Sequence, residues 1–399
     1  MTKADAMPLA GIRVLDLATM MAAPATAGYL AEFGADVIKV EKPGEGDPQR
    51  KWGTRKGGAS LYWKSISRNK RSLTLDLRVA EGAEILKKLV PTADVVIANF
   101  RPGTLERWGL GFETLSALNP GLVMLEISGF GRLGDLAHRP GFGTLAEARS
   151  GFAHLNGQAD GPPTLPNMGL ADQFSGLMGA FAVMLALYHR DRSDGRGQLI
   201  DLSLCDPILR LIEPSLLDWQ QLGIPGSRTG SRSVHVAPRN VYRCGDGRWV
   251  ALSASTPSTV RRVFDAIGKP ELADDPKFSD NAVRLQNVAE LDSLIGEWVS
   301  TRTSLEVITT MEKAEAAVGP VQDIPEVLAD PSLVDRGSLV TVSDPELGPM
   351  RLVNVVPHLS RTPGRVHTTG PRLGQHTLEL LTELGLGDQV DELRARGVV

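Results

Sequence analysis

The residue whose type and position best fit a chemical role is Asp172. It lies in segment 169–176, at the start of a long apolar stretch of helix-forming residues. A carboxylate at the start of a helix is expected to accept backbone N–H bonds and to feel the positive end of the helix dipole. Both effects lower the pKa of a carboxyl group and keep it ionised, as a carboxylate nucleophile requires. The same position also fits an ordinary helix cap without a chemical role.

A second carboxylate with a possible role is Glu147, in the glycine-flanked segment 141–151. This residue is a candidate for orienting a reacting carboxylate. An exposed glutamate on the surface of a helix is the alternative interpretation.

Basic residues recur where predicted strands begin or end. Lys42 follows one strand, Arg101 follows another, and Arg107 lies one helical turn beyond it, whereas Lys70 and Arg71 precede a strand. Because ligands bind open parallel sheets at the carboxyl ends of the strands, Lys42 and Arg101 are candidates for binding a phosphate-bearing ligand. Each of these residues alone also fits a solvated surface charge.

Other common chemistries lack a signature in the sequence. The first predicted strand-to-helix loop, 18–23, has no GxGxxG, and neither GxxxxGK[ST] nor GxSxG occurs in the sequence. Dinucleotide binding, P-loop phosphoryl transfer and a serine nucleophile elbow are therefore disfavoured. The two cysteines, Cys205 and Cys244, and the seven histidines have no metal-ligand spacing, so we expect no metal site.

Composition and charge define the class of protein. The 399 residues are 42% hydrophobic and 23% charged, and include 42 glycines and 26 prolines, which fits a globular chain of enzyme size. The formal net charge of −4 gives no global signal for nucleic acid or membrane partners. The first seven residues lack the apolar core of a signal peptide, so a cytoplasmic protein is expected.

Repeated β-α-β patterning predicts the elements that position these residues. Continuous apolar strands favour a parallel sheet covered on both faces, and hence an α/β fold. The predicted strands are 12–17, 37–40, 72–77, 95–98 and 122–127, and the predicted helices are 25–33, 80–90 and 103–118.

The sequence pattern of the second half of the chain predicts a linker followed by a smaller α+β domain. Segment 222–239 is rich in Gly, Ser and Arg, and 240–253 predicts a hairpin with its turn at 244–247. Helical patterns follow at 259–267, 288–300 and 304–317, and the tail 370–399 returns to helix. The apolar segment 174–188 is shorter than a bilayer span, and its small residues favour a buried, closely packed helix.

Seven segments, in their joint order and spacing, resemble the class III CoA-transferases. This family includes formyl-CoA:oxalate and carnitine CoA-transferases and the α-methylacyl-CoA racemases. The resemblance implies an interlocked homodimer, in which each chain has a Rossmann-like large domain and a smaller inserted domain. It implies domains at 1–224 (large, N-terminal part), 225–329 (small, with linker) and 330–399 (return to the large domain). The segments are 11–47, 69–77 (NKRSLTLDL), 93–111, 118–131, 195–206, 319–331 and 370–377 (GPRLGQHT).

The resemblance also implies a reaction and a site. The family's aspartate nucleophile falls on Asp172, with Glu147 as the candidate to orient it and backbone N–H groups at 141–143 to stabilise oxyanions. The implied reaction moves CoA from a donor thioester such as succinyl-CoA to an acceptor carboxylate, through aspartyl-anhydride and aspartyl-CoA intermediates. Coenzyme A thioester is then a substrate, and no tightly bound cofactor is expected. The implied CoA contacts are Met20, Met21, Lys42, Leu75, Arg78, Asn99, Phe100 and Arg107.

Two alternative functions stay open. The racemases of the family carry a histidine base where this sequence has Phe142 followed by Gly143, and neither residue can move a proton, so transfer is favoured over racemisation. A non-catalytic CoA-binding protein is the alternative from another class. Four arginines in segments expected to line or cover the site favour a dicarboxylate substrate. These are Arg139, Arg228, Arg232 and Arg239.

Overall fold

The computed structural model describes residues 7–399, which divide into two compact units. The larger unit contains residues 7–152, 165–216 and 332–399, and the smaller unit contains residues 153–164 and 217–331.

Helices and strands alternate through the first half of the chain. Its elements are β1 (Arg13–Asp16), α1 (Ala22–Glu32), β2 (Asp36–Glu41), β3 (Arg55–Lys56), β4 (Ala59–Ser60), α2 (Leu61–Ile66), β5 (Lys70–Thr74), α3 (Ala80–Leu89), β6 (Val95–Ala98), α4 (Thr104–Arg107), α5 (Phe112–Leu118), β7 (Val123–Ser128), α6 (Gly143–Arg149), α7 (Phe152–Leu155), α8 (Leu170–Arg192), β8 (Leu199–Ser203), α9 (Cys205–Leu211) and α10 (Glu213–Leu222).

Shorter strands and a second set of helices make up the rest of the chain. They are β9 (Arg239–Arg243), β10 (Trp249–Ser253), α11 (Pro257–Ala266), α12 (Asn281–Gln286), α13 (Val288–Ser300), α14 (Ser304–Lys313), β11 (Val318–Pro320), α15 (Ile324–Ala329), α16 (Pro331–Asp335), β12 (Leu339–Asp344), β13 (Gly348–Val353), α17 (Thr377–Glu383) and α18 (Val390–Ala395).

A six-stranded parallel sheet forms the centre of the larger unit. Its strand order is β5–β2–β1–β6–β7–β8, so the predicted α/β fold with a parallel sheet is confirmed. The chain runs outward from β1 through β2 to β5, and then returns to begin β6 on the other side of β1. The strand order therefore reverses between β1 and β6. Open α/β sheets bind their ligands at such a switch point, outside the carboxyl ends of the strands.

Successive side chains of each strand point to opposite faces of the sheet, so the apolar residues form two cores, one on each face. In β1, Leu15 joins the cluster under α3 and the C-terminal helices, whereas its neighbour Val14 joins the cluster formed with α1 and α8. All four residues of β6 are buried. Strands covered on both faces read as continuous apolar runs, which is why the sequence located β6 at its observed bounds.

The predicted helix 103–118 is wrong as a single element, because the structure separates it into α4 and α5. Gly109 adopts a left-handed backbone with φ of 68°, and the chain resumes a helical course only after Gly111. Glycine takes this conformation at no steric cost, so it ends the first helix. The strand β8, the helix α6 and the hairpin β12–β13 were not predicted, and the strand predicted at 72–77 begins earlier, at Lys70.

The apolar helix α8 is 23 residues long, so the prediction of a segment too short to span a bilayer is wrong. Helical residues extend the apolar stretch at both ends, and length and composition alone would let α8 cross a membrane. Close packing against α1 is nevertheless confirmed. A Cβ added at Gly176 would lie 2.8 Å from the Ala22 carbonyl oxygen, and Thr26 donates a 2.8 Å hydrogen bond to the Gly176 carbonyl.

The smaller unit contains a three-stranded antiparallel sheet in the order β11–β10–β9. The hairpin predicted at 240–253 is confirmed as β9 and β10, and the helices predicted nearby correspond to α11, α13 and α14. Apolar residues of these helices, such as Val263 and Ile295, pack against the sheet.

Candidate active site

The carboxyl ends of β1 and β6 are joined by side-chain to backbone hydrogen bonds. The side chain of Asn99, which follows β6, accepts from the Thr19 N–H at 2.8 Å and donates to the Thr19 carbonyl at 2.6 Å. Residues 18–21 form the loop between β1 and α1, which we call the first loop. The first loop therefore lies at the switch point of the sheet, where a ligand is expected.

Asp172 lines a cavity of about 230 Å³ at this edge of the sheet. The first loop forms one wall of the cavity, residues 99–102 form another, and residues 137–142 complete it. Asp172 thus lies in one cavity with Asn99 and Arg101, which follow β6, and the role of these residues stays a prediction. The lining residues are Thr19, Met20, Met21, Ala22, Asn99, Phe100, Arg101, Pro102, Ile127, Ser128, Gly129, Ala137, Arg139, Pro140, Gly141, Phe142, Asp172 and Leu204.

The environment of Asp172 differs from the predicted helix cap. The residue that caps α8 is Gly169, so Asp172 lies inside the first turn, and its carboxylate accepts no hydrogen bond from any of residues 7–399. Burial, together with the nearby charge of Glu147, raises the pKa of Asp172 from 3.8 to about 6. The prediction of a lowered pKa is therefore wrong, because desolvation disfavours the charged form and no N–H donor offsets it. Near neutral pH the carboxylate is still mostly ionised.

Two glycines form the surface on which the Asp172 carboxylate rests. A Cβ added at Gly143, the first residue of α6, would lie 2.2 Å from Asp172 Oδ2. At Gly169 it would lie 3.3 Å from the same oxygen and 2.7 Å from Met21 Cε. A side chain at position 143 would therefore displace the carboxylate, and one at position 169 would displace the end of the Met21 side chain.

Glu147 is buried behind Asp172, with only 2% of its surface exposed. The alternative of an exposed helix glutamate is therefore wrong. Glu147 Oε1 accepts a 3.0 Å hydrogen bond from the Ala171 N–H, at the first turn of α8. This bond ties α6 to the turn that carries Asp172, and the charge of Glu147 contributes to the raised pKa of Asp172.

A second cavity of about 170 Å³ adjoins the first and contains several of the expected CoA contacts. Lys42, Leu75, Arg78 and Phe100 line it. Thr19 and Phe100 line both cavities, so the two spaces meet at the switch point. An elongated ligand with a charged end and a reactive end suits two joined cavities of this kind.

Two basic residues of the second cavity are held by neighbouring carboxylates. Arg78 pairs with Asp76 through contacts of 2.9 and 2.6 Å, and Lys42 pairs with Glu45. Arg107 is the exception among the expected contacts, because it lines neither cavity, and its guanidinium donates to the Thr104 hydroxyl at 3.0 Å. Met20, Met21 and Asn99 line the first cavity instead.

The four arginines expected near the site differ in their surroundings. Arg139 lines the Asp172 cavity and forms no ion pair within residues 7–399. In the smaller unit, Arg228 donates to two backbone carbonyls, Arg239 donates to the Ser231 carbonyl, and Arg232 pairs with Asp292 at 2.5 Å. Local contacts within that unit account for these three guanidinium groups.

Sequence reasoning missed a buried polar cluster beneath the first loop. It contains Asp16, Lys39, Asp47, Gln49 and Lys70, all of them buried. One signal was available, because Lys39 lies in the middle of the apolar strand VIKV, where an isolated charge requires a partner. In the described part of the chain, no group of three His, Cys, Asp or Glu side chains is placed to hold a metal ion.

The architecture matches that of a solved α/β protein. A crystal structure of a CaiB/BaiF family protein from Brucella suis superposes with a TM-score of 0.83 and 31% sequence identity, covering 95% of this chain and 100% of that chain. The sequence matches the model of CoA-transferase family III across residues 9–377, and the chain belongs to this family. The prediction of a CoA-transferase acting on acyl-CoA and carboxylate substrates is confirmed.

Two relatives from Chloroflexus aurantiacus are similar over nearly their full lengths. The chain is 43% identical over 387 residues to a succinyl-CoA–D-citramalate CoA-transferase, covering 97% of this chain and 96% of the relative. It is 42% identical over 399 residues to the β subunit of a succinyl-CoA–L-malate CoA-transferase, covering 98% of each.

Proposed function

We propose that the enzyme transfers CoA from succinyl-CoA, or a similar dicarboxylyl-CoA, to an acceptor dicarboxylate with Asp172 as the nucleophile. The observation that carries this proposal is the unpaired, partly buried carboxylate of Asp172, which faces a cavity and lies against two glycines. A buried carboxylate without hydrogen bonds is unfavourable for folding, so its presence in a cavity indicates a chemical role.

The proposed reaction begins with attack of an Asp172 oxygen on the thioester carbonyl. A C–O bond forms, the C–S bond breaks, and an aspartyl–acyl anhydride and CoA thiolate result. The thiolate attacks the aspartyl carbonyl, which releases the donor carboxylate and leaves an aspartyl-CoA thioester. The acceptor carboxylate repeats these two steps in reverse order, so that the new acyl-CoA leaves and Asp172 is regenerated. Every nucleophile is already an anion, so no proton has to move.

The raised pKa of Asp172 supports this role. A carboxylate of pKa about 6 is more basic than an ordinary aspartate, and it is still ionised at neutral pH. Anhydride formation also needs donors for the oxyanion at the attacked carbonyl. The backbone of residues 141–143, which borders the cavity beside Asp172, is the proposed source of such donors.

Charge in the Asp172 cavity supports a dicarboxylate substrate. Arg101 and Arg139 are exposed, line this cavity and form no ion pair with other residues in the range 7–399. A guanidinium binds a second carboxylate in bidentate fashion, which a monocarboxylic acyl chain cannot match. The two relatives are named for succinyl-CoA as donor and citramalate or malate as acceptor, which supports the same substrate class.

Racemisation of an α-methylacyl-CoA fits the site less well. A racemase needs an acid and a base on opposite faces of the α-carbon. The residues that line the Asp172 cavity include no histidine, and the position expected for such a base is Phe142, whose side chain is exposed.

We also propose an intertwined homodimer, with domains at 1–224, 225–329 and 330–399. Helix α8 supports a partner chain, because Leu177, Phe181, Leu185 and Tyr188 recur on one face at helical spacing and are more than half exposed. Light scattering on the purified protein tests this assembly. Twice the chain mass is expected, and the mass of one chain would contradict it. Phe181→Glu, which places a charge on this face, should shift the mass toward that of one chain.

A screen with succinyl-CoA and a panel of carboxylates, read by mass spectrometry, tests the substrate class. Dicarboxylate acceptors should be converted to their CoA thioesters, whereas turnover confined to neutral fatty acids would contradict it. Hydroxylamine added during turnover should convert the acylated carboxylate to a hydroxamate. Peptide mapping should place that mass change at Asp172, and a change elsewhere would reject Asp172 as the nucleophile. Deuterium incorporation at the α-carbon without an acceptor would favour the racemase instead.

A further inference from the structure

The first loop touches both cavities and the neighbourhood of the nucleophile. Thr19 lines both cavities, and Met20 and Met21 line the one that contains Asp172. The Met21 thioether and the Asp172 carboxylate approach the same glycine, because a Cβ at Gly169 would lie 3.2 Å from Met21 Sδ and 3.3 Å from Asp172 Oδ2. A movement of the first loop would therefore change the space in front of Asp172.

Met20 has a backbone conformation that an unbranched, bulky residue rarely adopts. Its φ is 66°, in the left-handed region where the Cβ atom crowds the following carbonyl. Strain of this kind persists only where the surroundings fix the backbone. A loop without such support would relax to a more common conformation and shift the side chains of Met20 and Met21.

Side chains satisfy every backbone polar group from Ala18 to Met20. The Ala18 N–H donates to Asp16 Oδ1 at 3.2 Å, and the Lys39 ammonium donates to the Ala18 carbonyl. Asn99 holds both groups of Thr19, as described above. The Met20 N–H donates to Asp47 at 3.1 Å, and the Gln49 amide donates to the Met20 carbonyl. Three consecutive residues thus each have both their backbone N–H and their carbonyl group held by a side chain.

The groups that hold Ala18 and Met20 are themselves joined by buried ion pairs. Lys39 Nζ lies 3.0 Å from Asp47 Oδ2 and 3.6 Å from Asp16 Oδ1, and Lys70 Nζ lies 2.9 Å from Asp16 Oδ2. Each of these four side chains is at most 1% exposed. Apolar residues of similar volume would fill the same space at less desolvation cost. Ion pairs fix the direction of a hydrogen-bond donor, which apolar packing does not. Here they direct the Lys39 ammonium group toward the Ala18 carbonyl.

We propose that Lys39, Asp47 and Gln49 are positioning residues that hold the first loop in the geometry needed for attack by Asp172 on the thioester. The proposal rests on the proposed function above, because it assigns the loop a role in the same reaction. Lys39 and Asp47 also line the second cavity, whereas Gln49 lines neither cavity. Loss of the Gln49 amide is therefore expected to change the rate of transfer more than the affinity for CoA.

Gln49→Leu tests this role, because it removes the donor to the Met20 carbonyl while keeping the buried volume. The matched control is Asn119→Leu, which removes an amide that holds three backbone groups of the larger unit, at the opposite edge of the sheet. Three measurements are made on the full-length protein: single-turnover thioester cleavage, the Kd for CoA, and hydrogen exchange of peptides covering residues 18–21. If Gln49→Leu fails to fold, Gln49→Met removes the same donor with a more adaptable side chain.

Gln49→Leu is expected to slow thioester cleavage by about 10- to 100-fold, as misplacement of reacting groups by about 1 Å does. The Kd for CoA should change by less than about threefold, since binding at the second cavity is retained. Exchange at residues 18–21 should become faster in Gln49→Leu only. An equal loss of rate in both variants at matched thermal stability, or unchanged exchange at the loop, would overturn the proposal. If the wild-type protein shows no transfer, the proposed function is rejected instead. Hydrogen exchange at residues 18–21 would then still show whether Gln49 holds the first loop.

Discussion

Two aspartates near the switch point of the sheet have opposite surroundings. Asp172 accepts no hydrogen bond within residues 7–399, and its carboxylate faces a cavity beside a second buried acid, Glu147. Asp47 accepts N–H bonds from Met20 and Gln49 and pairs with Lys39. Burial and the charge of Glu147 raise the pKa of Asp172 to about 6, whereas Asp47 lies 3.0 Å from the Lys39 ammonium group.

This difference fits the roles proposed above, in which Asp172 is the nucleophile and Asp47 orients other groups. A nucleophile must be free to form a new bond, so hydrogen bonds to its oxygens would have to be broken during the reaction. A positioning group performs its role through those bonds. The comparison therefore predicts that the two carboxylates respond in opposite ways to neutralisation, in activity and in stability.

The largest expected effect is the loss of activity in Asp172→Asn. An amide cannot attack a thioester as a carboxylate does, so turnover should fall by about 10⁴-fold or more. Steady-state kinetics and CoA titration check this, and the Kd for CoA should stay within a few-fold of the wild type. Asp191→Asn, near the other end of α8, is the control and should keep full activity. If Asp172→Asn retains more than about 1% of wild-type turnover, the carboxylate is not the nucleophile.

A methyl group at position 143 is the next test. Because a Cβ there would lie 2.2 Å from Asp172 Oδ2, Gly143→Ala must displace the carboxylate, and kcat should fall by about 100-fold. Gly319→Ala is the matched control, since a Cβ at that glycine meets no atom within 4 Å and its φ is not positive. Equal kinetics for the two variants would mean that the position of Asp172 does not limit transfer.

Neutralising each aspartate should shift stability in opposite directions. The folded pKa of Asp172 lies above its ordinary value of 3.8, so its charge costs nothing below pH 3.8 and costs fully above about pH 6. Asp172→Asn should therefore stabilise the protein by about 2 kcal/mol at pH 8 and by almost nothing at pH 3.5. Asp47→Asn removes the closer of the two carboxylates beside Lys39 and should destabilise the protein by about 3 kcal/mol at pH 8. Urea unfolding at both pH values measures these changes. If both variants change the free energy of unfolding in the same direction at pH 8, the proposed contrast between the two aspartates is wrong.

The smallest expected effect concerns the pH profile. Protonation of Asp172 should lower kcat/KM below about pH 6, tenfold for each further pH unit. Burial is the main cause of the raised pKa and Glu147 is the second, so Glu147→Gln should move the midpoint of this limb down by less than one pH unit. The amide oxygen can still accept from the Ala171 N–H, which preserves the turn. The exposed Glu113→Gln should leave the midpoint in place, and an upward shift in Glu147→Gln would contradict the electrostatic account.

Much of the fold could be predicted from sequence, because strands covered on both faces produce short apolar runs. The central strands β1, β2, β6 and β7 were found for this reason. Strand β8 was missed because it is only partly buried and contains the exposed Asp201. The helix break at Gly109 depends on a backbone conformation that glycine permits but does not require.

Most residues of the candidate site could be predicted from the sequence, but the pKa of Asp172 could not. The segment around Asp172 and the strand-end positions pointed to one edge of the sheet, where the structure places most of them. The pKa of Asp172 was predicted in the wrong direction, because the exact first residue of α8 decides whether the carboxylate caps the helix. The members of the buried polar cluster come from four separate places in the chain, and local patterns carry no information on such contacts.

The contact between position 143 and Asp172 also limits how this sequence can evolve. Glycine is the only residue without a Cβ, so every substitution at Gly143, however conservative, places a carbon where the carboxylate oxygen lies. No residue is intermediate in size between glycine and alanine, so the side chain at this position cannot grow in smaller steps. A lineage that exchanged this glycine would therefore have to move the Asp172 carboxylate in the same step.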